Sequence, residues 1–343
     1  MHSGLVPRRR FLSSLAATSL VGLAGCIDDY DGLQYRLFTT PTAESLTDLT
    51  DGFVLADPTA IHAQEAIDYS DVYKQSVVDA LLSKGTAESV QWQLAYDRSF
   101  GTTTRPRPVF VERDGTYYSI TETAQTEFTE DRWVFYLDLV DKEPTSSDTV
   151  VTGPPSSLSE TDQLVVKHAL RSVQGHGGAY DVDNRPLQGR GPDFHHEMDP
   201  EASELVPSPP FDYLKLGDEY PQYLVPRAEK GPVELTRYTF TIEEVASSRE
   251  ELERHVESNV VDAEFDTGDD AAVVDVVRAA TDRPDGRIYT EHEEMSDELK
   301  QVVDRLGMSP YIPEDVTDRT TLNGALFSFE GEWYRASFKI RRM

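Results

Sequence analysis

Cysteine is nearly absent: Cys26 is the single one in 343 residues. No intramolecular disulfide can form, so stability has to come from a packed core. Bases are few as well, 32 against 62 acids, for a formal net charge of −30. That balance argues against a nucleic-acid partner, whose phosphates are met by a basic surface. No apolar run reaches the ~20 residues that span a bilayer; the stretch Phe11–Ala24 is 14 residues long. A P-loop, a dinucleotide fingerprint, a G-x-S-x-G elbow and an H-E-x-x-H pair are all missing, so no cofactor is indicated. Asn184, Asn259 and Asn323 are not followed by Ser or Thr at the second position, which rules out N-glycosylation sequons.

What is present begins at the amino end. Pro7-Arg8-Arg9-Arg10-Phe11-Leu12 leads into the apolar run, which closes on Leu23-Ala24-Gly25-Cys26. Arg8-Arg9-x-Phe11-Leu12 resembles a twin-arginine export signal, and Leu23-Ala24-Gly25-Cys26 resembles a lipobox. The pair implies export of a folded chain, removal of residues 1–25 as a signal peptide, and a lipid on the Cys26 sulfur. It also implies a location on the outer face of the cytoplasmic membrane, extracytoplasmic and held through that lipid. Residues 26–32 are then a lipid-anchored tether; Ile27 to Gly32 reach at most ~20 Å. Without Arg8, Arg9 and Arg10 the remaining 318 residues carry 62 acids against 29 bases, a charge of −33. Over the whole chain arginine outnumbers lysine 24 to 8 and aspartate exceeds glutamate 33 to 29. An acidic, lysine-poor surface of this kind resembles lipoproteins of halophilic archaea. In molar salt the Debye length is ~3 Å, which silences the mutual repulsion that opposes folding in dilute buffer.

The chain also repeats itself. Arg132-Trp-Val-Phe-Tyr-Leu-Asp-Leu-Val140 matches Arg237-Tyr-Thr-Phe-Thr-Ile-Glu-Glu-Val245, and Gln34-Tyr35-Arg36-Leu37 is a weaker copy. Each reads as an alternating strand, with Trp133, Phe135 and Leu137 on one face and Tyr238, Phe240 and Ile242 likewise. Three helical stripes accompany them: Tyr73, Val77, Ala80 and Leu81; Val166, Ala169, Leu170 and Val173; Val273, Val276, Val277 and Ala280. Ser159-x-x-Asp162 and Thr267-x-x-Asp270 read as capping boxes. Asp114-Gly115 and Glu330-Gly331 mark hairpin turns between alternating strands. Lys230-Gly231 marks a degraded third, with Pro226 and Pro232 pointing to an edge strand.

The expected fold is α+β: three repeated modules of about 100 residues, each strand, helix and β-hairpin with antiparallel pairing. Module 1 covers 33–130, module 2 covers 131–234 with a long loop at 174–212, and module 3 covers 235–343.

That loop gathers the polar residues that could carry chemistry. Gly175-His176-Gly177-Gly178 resembles the oxyanion loop of some esterases but has no nucleophile elbow to serve. Asp181-x-Asp183 resembles a calcium loop, yet Arg185 takes the next ligand position. His195-His196-Glu197 recurs in part: Arg185-Pro186, Gly189-Arg190, Phe194, His196-Glu197 and Met198 parallel Arg283-Pro284, Gly286-Arg287, Tyr289, His292-Glu293 and Met295. Imidazoles with carboxylates suit a transition metal. A duplicated crossover, with its arginines paired to acids and its aromatic packed, explains the recurrence more simply, and no metal site is assigned. His176, His195, His196, Glu197 and His292 remain as ligand-binding candidates; no catalytic set emerges.

The expectation is a lipid-anchored envelope protein that binds or scaffolds, with a protein partner in the envelope and the membrane as its second contact. A solute-binding lipoprotein of a transporter, with a small-molecule ligand, is the first alternative. An exported enzyme with its site in residues 174–212 is the second.

Overall fold

The computed structural model describes residues 32–94, 101–176, 181–218, 221–282, 288–316 and 318–343. Arg8, Arg9, Phe11, Leu12 and Cys26 lie outside the described residues. Along the chain run β1 (Leu33–Ala43), α1 (Leu46–Asp51), α2 (Asp71–Lys84), β2 (Thr86–Val90), β3 (Thr102–Thr103) and β4 (Val109–Arg113). Next come β5 (Thr116–Val140), β6 (Val150–Val151), α3 (Glu160–His176), β7 (Tyr213–Leu216) and β8 (Gln222–Ala246). The last third holds α4 (Arg249–Asn259), β9 (Ala263–Phe265), α5 (Ala271–Thr281), β10 (Ile288–Glu293), α6 (Asp297–Arg305), β11 (Arg319–Phe329) and β12 (Glu332–Arg342). Helices and mostly antiparallel strands are thus combined in an α+β arrangement.

The strands form two sheets. One has the order β10-β1-β12-β11-β3 with β9 also on β11; the other has β4-β5-β8-β7-β6 with β2 also on β8. Parallel pairing is confined to short strands, β3 and β9 on β11 and β6 on β7. β5 and β8 are each 25 residues long and pair antiparallel from Tyr117↔Ala246 to Val140↔Tyr223. The expected boundaries near 130 and 235 therefore fall inside continuous strands. β1 pairs with β10 and β12, at the far end of the sequence.

Local chemistry accounts for the elements. All three apolar stripes become buried helix faces: Val77 and Leu81 in α2, Val166, Ala169 and Val173 in α3, and Val273, Val276, Val277 and Ala280 in α5. α2 begins on Ser70, whose side chain accepts from Tyr73 N, and ends on Gly85 at φ 76°, where a Cβ would be strained. The two expected hairpin turns form, with Asp114 and Gly115 at φ 55° and 81° and Glu330 and Gly331 at φ 52° and 85°. Positive φ at both central residues gives a turn whose twist matches that of the strands.

Three expectations are corrected. Lys230-Gly231 is not a turn: both residues sit inside β8, opposite Trp133 and Arg132. The middle hairpin instead turns after β7, and Leu216 pairs with Gln222. Pro226 and Pro232 lie where β8 has β5 as its one sheet neighbour, between the β7 pairing at 222–224 and the β2 pairing at 237–241. Neither expected capping box closes. Ser159 Oγ accepts from Asp162 N, but the Asp162 carboxylate takes Ser203 Oγ and Glu204 N instead. Asp270, three residues beyond Thr267, is itself the cap of α5 and accepts from Ala272 N. Finally, β5 is not half-buried at Val134–Leu137, because all four residues are buried. Segment 191–195 runs along its edge, with Phe135 N donating to Pro192 O and Phe194 N to Trp133 O.

Four apolar clusters hold the molecule together. α5 and α6 pack on the inner face of β1, β12 and β11, where Leu37, Phe338 and Phe327 meet Val277 and Val303. α3 and the 182–211 segment pack on β5 and β8 through Val166, Phe194, Leu205 and Leu224. α2 packs on β4, β5 and β8 through Leu81, Ile120 and Phe240. Phe53, Phe110, Val256 and Leu326 tie the two sheets to each other.

Candidate functional site

The polar residues offered by the 174–212 segment converge on the start of α2 rather than on solvent. Glu197 Oε2 accepts from Ser70 N at 2.7 Å and its Oε1 from Ser70 Oγ at 2.6 Å. A carboxylate placed there satisfies donors left open at a helix N-terminus and complements its dipole. Glu291 repeats the grip on Ser296 ahead of α6, at 2.7 Å to N and 2.6 Å to Oγ. The rings of His195 and His196 stand 4.6 and 4.9 Å from Tyr69, and His196 is 4.7 Å from Tyr73. His195 and His196 therefore form an aromatic joint between α2 and the loop of the second third.

Beneath them lies a buried charge cluster. Arg132 Nη1 donates to Glu65 Oε1 at 3.0 Å and to Asp193 Oδ2 at 2.7 Å, while Nε donates to Glu130 Oε2 at 3.1 Å. Tyr69 Oη donates to Glu65 Oε1 at 3.1 Å. The side chains of Arg132 and Glu65 are each 4% exposed. Burial works against the Arg132 charge, yet Asp193 and Glu65 raise its pKa above the ordinary arginine value. Burial, followed by the neighbouring Asp193 charge, pushes the Glu65 carboxyl up to about 7 despite Arg132. Burial likewise pushes the His195 imidazole down to about 4. His195 Nδ1 accepts from Glu197 N at 3.3 Å, whereas its Nε2 is buried with no partner.

The other candidates do not join this cluster. His292 is exposed on β10, paired in register with Gln34. His176 is the last residue of α3, and its side chain, like positions 177–180, lies outside the described residues. Of the second arginine-aromatic copy, 283–287 is also outside; Tyr289 packs against the α5–α6 core as Phe194 packs in its own. Arg190 meets Glu229 at 3.0 Å, the acid pairing expected of the duplicated segment. Among the described residues no group of three or more His, Cys, Asp or Glu side chains could hold a metal ion.

Sequence reasoning missed Glu65, Tyr69 and Asp193, and it missed a cleft of about 620 Å³. The cleft is lined by Phe53, Leu55, Ile61 and Val109, with Asp57, His62 and Arg107 among its polar residues. Its wall is braced by buried Lys74, whose Nζ donates to Asp68 Oδ2 at 2.6 Å and Thr59 O at 3.1 Å. Burial opposes the Asp68 charge, but hydrogen bonds from Lys74, Ala63 N and His62 hold its carboxyl below the ordinary value. The available signal was the Arg132 of the strand repeat, an arginine opening a hydrophobic run and therefore in need of acids.

Among the described residues no helix is long and apolar enough to cross a membrane. Compared with protein-family models, curated proteins and solved structures, the chain matches none.

Proposed function

We propose that this chain is a lipid-anchored extracytoplasmic protein of a halophile, held on the outer face of the cytoplasmic membrane through Cys26, that works as a binding or scaffolding body. The observation that carries the reading is where the candidate chemistry is spent. Glu197 holds the Ser70 cap of α2, His195 and His196 pack on Tyr69, and Arg190 pairs with Glu229, all as joints of the fold. Two 25-residue strands running through the body add the stiffness a scaffold needs.

The body is further proposed to be three repeated modules, 33–130, 131–234 and 235–343, with their first strands exchanged. The support is a pairing order that recurs. β1 lies between β12 and β10; the second half of β5 lies between β8 and Asp193; the second half of β8 lies between β5 and β2. The opening strand of each hairpin then takes a short parallel partner: β9 on β11, β6 on β7, and Val54 beside Phe110 of β4. Deleting residues 33–43 should strip hydrogen-exchange protection from β10 and β12 while β5 and β8 keep theirs. Uniform loss across both sheets would remove the exchanged repeat.

The anchor is tested by Cys26→Ser, which should move the protein from washed membranes to the soluble fraction or the medium; persistence in membranes would mean another anchor. The binding role is tested by cross-linking in membranes at molar salt, where a reproducible envelope partner is expected. The apolar-lined cleft favours a second reading, capture of a small solute for a transporter. Native mass spectrometry of protein extracted at molar salt separates the two, since a solute carrier should retain a bound small molecule.

A further inference from the structure

The outer face of the β10-β1-β12-β11 sheet has a charge opposite to that of the chain as a whole. Two adjacent rows cross the four strands: His292, Gln34, Arg341 and Arg319, then Thr290, Arg36, Lys339 and Thr321. The neighbouring residues Tyr35, Leu37, Phe338 and Ile340 point into the core, so alternation sends these rows outward. Neither row contains a carboxylate, in a chain whose acids outnumber its bases 62 to 32. His292, Arg341 and Arg319 are exposed, and Arg36 and Lys339 are half-buried. At the root of the face Gln34 Oε1, Arg36 Nε and Thr321 Oγ1 are buried without a hydrogen-bond partner, and the one other such side-chain atom among the described residues is His195 Nε2. Gln34 is 4% exposed and Thr321 6%. Guanidinium and ammonium groups in rows without a carboxylate suit a surface of anionic oxygens, because arginine forks bind phosphate oxygens in pairs.

The position of the face says which anionic surface. Met343 N donates to Gly32 O at 3.0 Å, so the chain enters the sheet beside the Arg341–Arg319 row. Ile27 to Gly32 separate Cys26 from that point, a reach of at most ~20 Å. We infer that this face seats on the phosphate headgroups of the membrane that holds the Cys26 lipid. The inference rests on the anchor reading above. It also gives the tethered body one orientation, with the basic rows against the headgroups. In molar salt the field reaches only ~3 Å, so the seat depends on direct guanidinium–phosphate contact.

The test uses the full lipidated protein in vesicles of phosphatidylglycerol or of phosphate-free galactolipid, at molar salt. Flotation reports the anchor, and amine labelling of Lys339 against exposed Lys84 reports the face. Flotation with both vesicles is expected. Lys339 labelling should fall by about twofold or more on phosphatidylglycerol alone, through direct contact of the face with the phosphates. R36Q, R319Q and R341Q together should restore it. Equal Lys339 labelling on both vesicles would overturn the inference while leaving the anchor standing. Protection by added inorganic phosphate on galactolipid vesicles would also overturn it, assigning the face to a free anion. Failure to float on either vesicle would overturn the anchor and the inference with it.

Discussion

Arg132 and Arg36 both sit on strands that open a hydrophobic run, and their surroundings are opposite. Arg132 is enclosed by Glu65, Asp193 and Glu130, with the first two contacts at 3.0 and 2.7 Å. Arg36 stands between Thr290 and Lys339 and leaves its Nε unpartnered. The first arrangement is closed: the Arg132 charge is answered within the fold, and the surplus of acid is met by a Glu65 carboxyl that holds its proton up to about pH 7. The second lies on a sheet face where Arg341 and Arg319 are exposed and no carboxylate stands in either row. Buried charge is tolerated only when paired and hydrogen-bonded. A basic face on an acidic protein is the feature from which the membrane seat is inferred.

The contrast can be broken most forcefully at Arg132. Arg132→Ala leaves Glu65 and Asp193 buried without a counter-charge and should cost about 3–5 kcal/mol, read as a lowered urea midpoint at molar salt. A loss below 1 kcal/mol would mean the cluster is not closed.

The pH dependence follows next. Glu65 is raised from 4.5 to about 7, so its share of stability is fully present below pH 4.5 and lost as pH rises through 7. His195 is lowered from 6.5 to about 4, so its share is present above pH 6.5 and lost as pH falls through 4. Each is worth roughly 3 kcal/mol, and between pH 4.5 and 6.5 the two slopes oppose each other. Glu65→Gln should leave stability that rises from pH 4 to 6.5, whereas His195→Asn should leave stability that falls from pH 4.5 to 7. Melting curves that keep the parent profile in both variants would remove the assignment.

Glu197→Ala removes the carboxylate that accepts from Ser70 N and Oγ and should cost about 1–3 kcal/mol, with exchange protection lost first in the opening turn of α2. Gly331→Ala, at φ 85°, should cost about 1 kcal/mol. The smallest effect is expected on the open face, where Arg341→Gln should change the urea midpoint by less than about 0.5 kcal/mol. A large loss there would make the basic rows a structural device after all.

Part of this was readable beforehand. The helix stripes and the two hairpin turns rest on spacing within a few residues, and spacing of that range is written directly in the chain. The middle hairpin was missed because Lys230-Gly231 carries turn residues at a place where the strand runs straight. Gly231 instead leaves room for Leu187, whose Cδ2 stands 2.9 Å from where a Cβ would be. His195, His196 and Glu197 stood out as a group, but their partners Tyr69 and Ser70 lie more than a hundred residues away. No local pattern encodes that meeting.

Legible in the chain alone are the sign and scale of its charge, the exclusion of an intramolecular disulfide, and the mixed helix-and-strand character with its apolar stripes. These follow from composition and short-range periodicity, which act wherever the chain goes. Tertiary structure alone decided that β1 pairs with the last strand, that Arg132 is sealed by acids from two distant loops, and that the bases of β1, β11 and β12 share one open face. Each of those depends on which strands become neighbours, and register between remote strands is selected by the packing of the whole core.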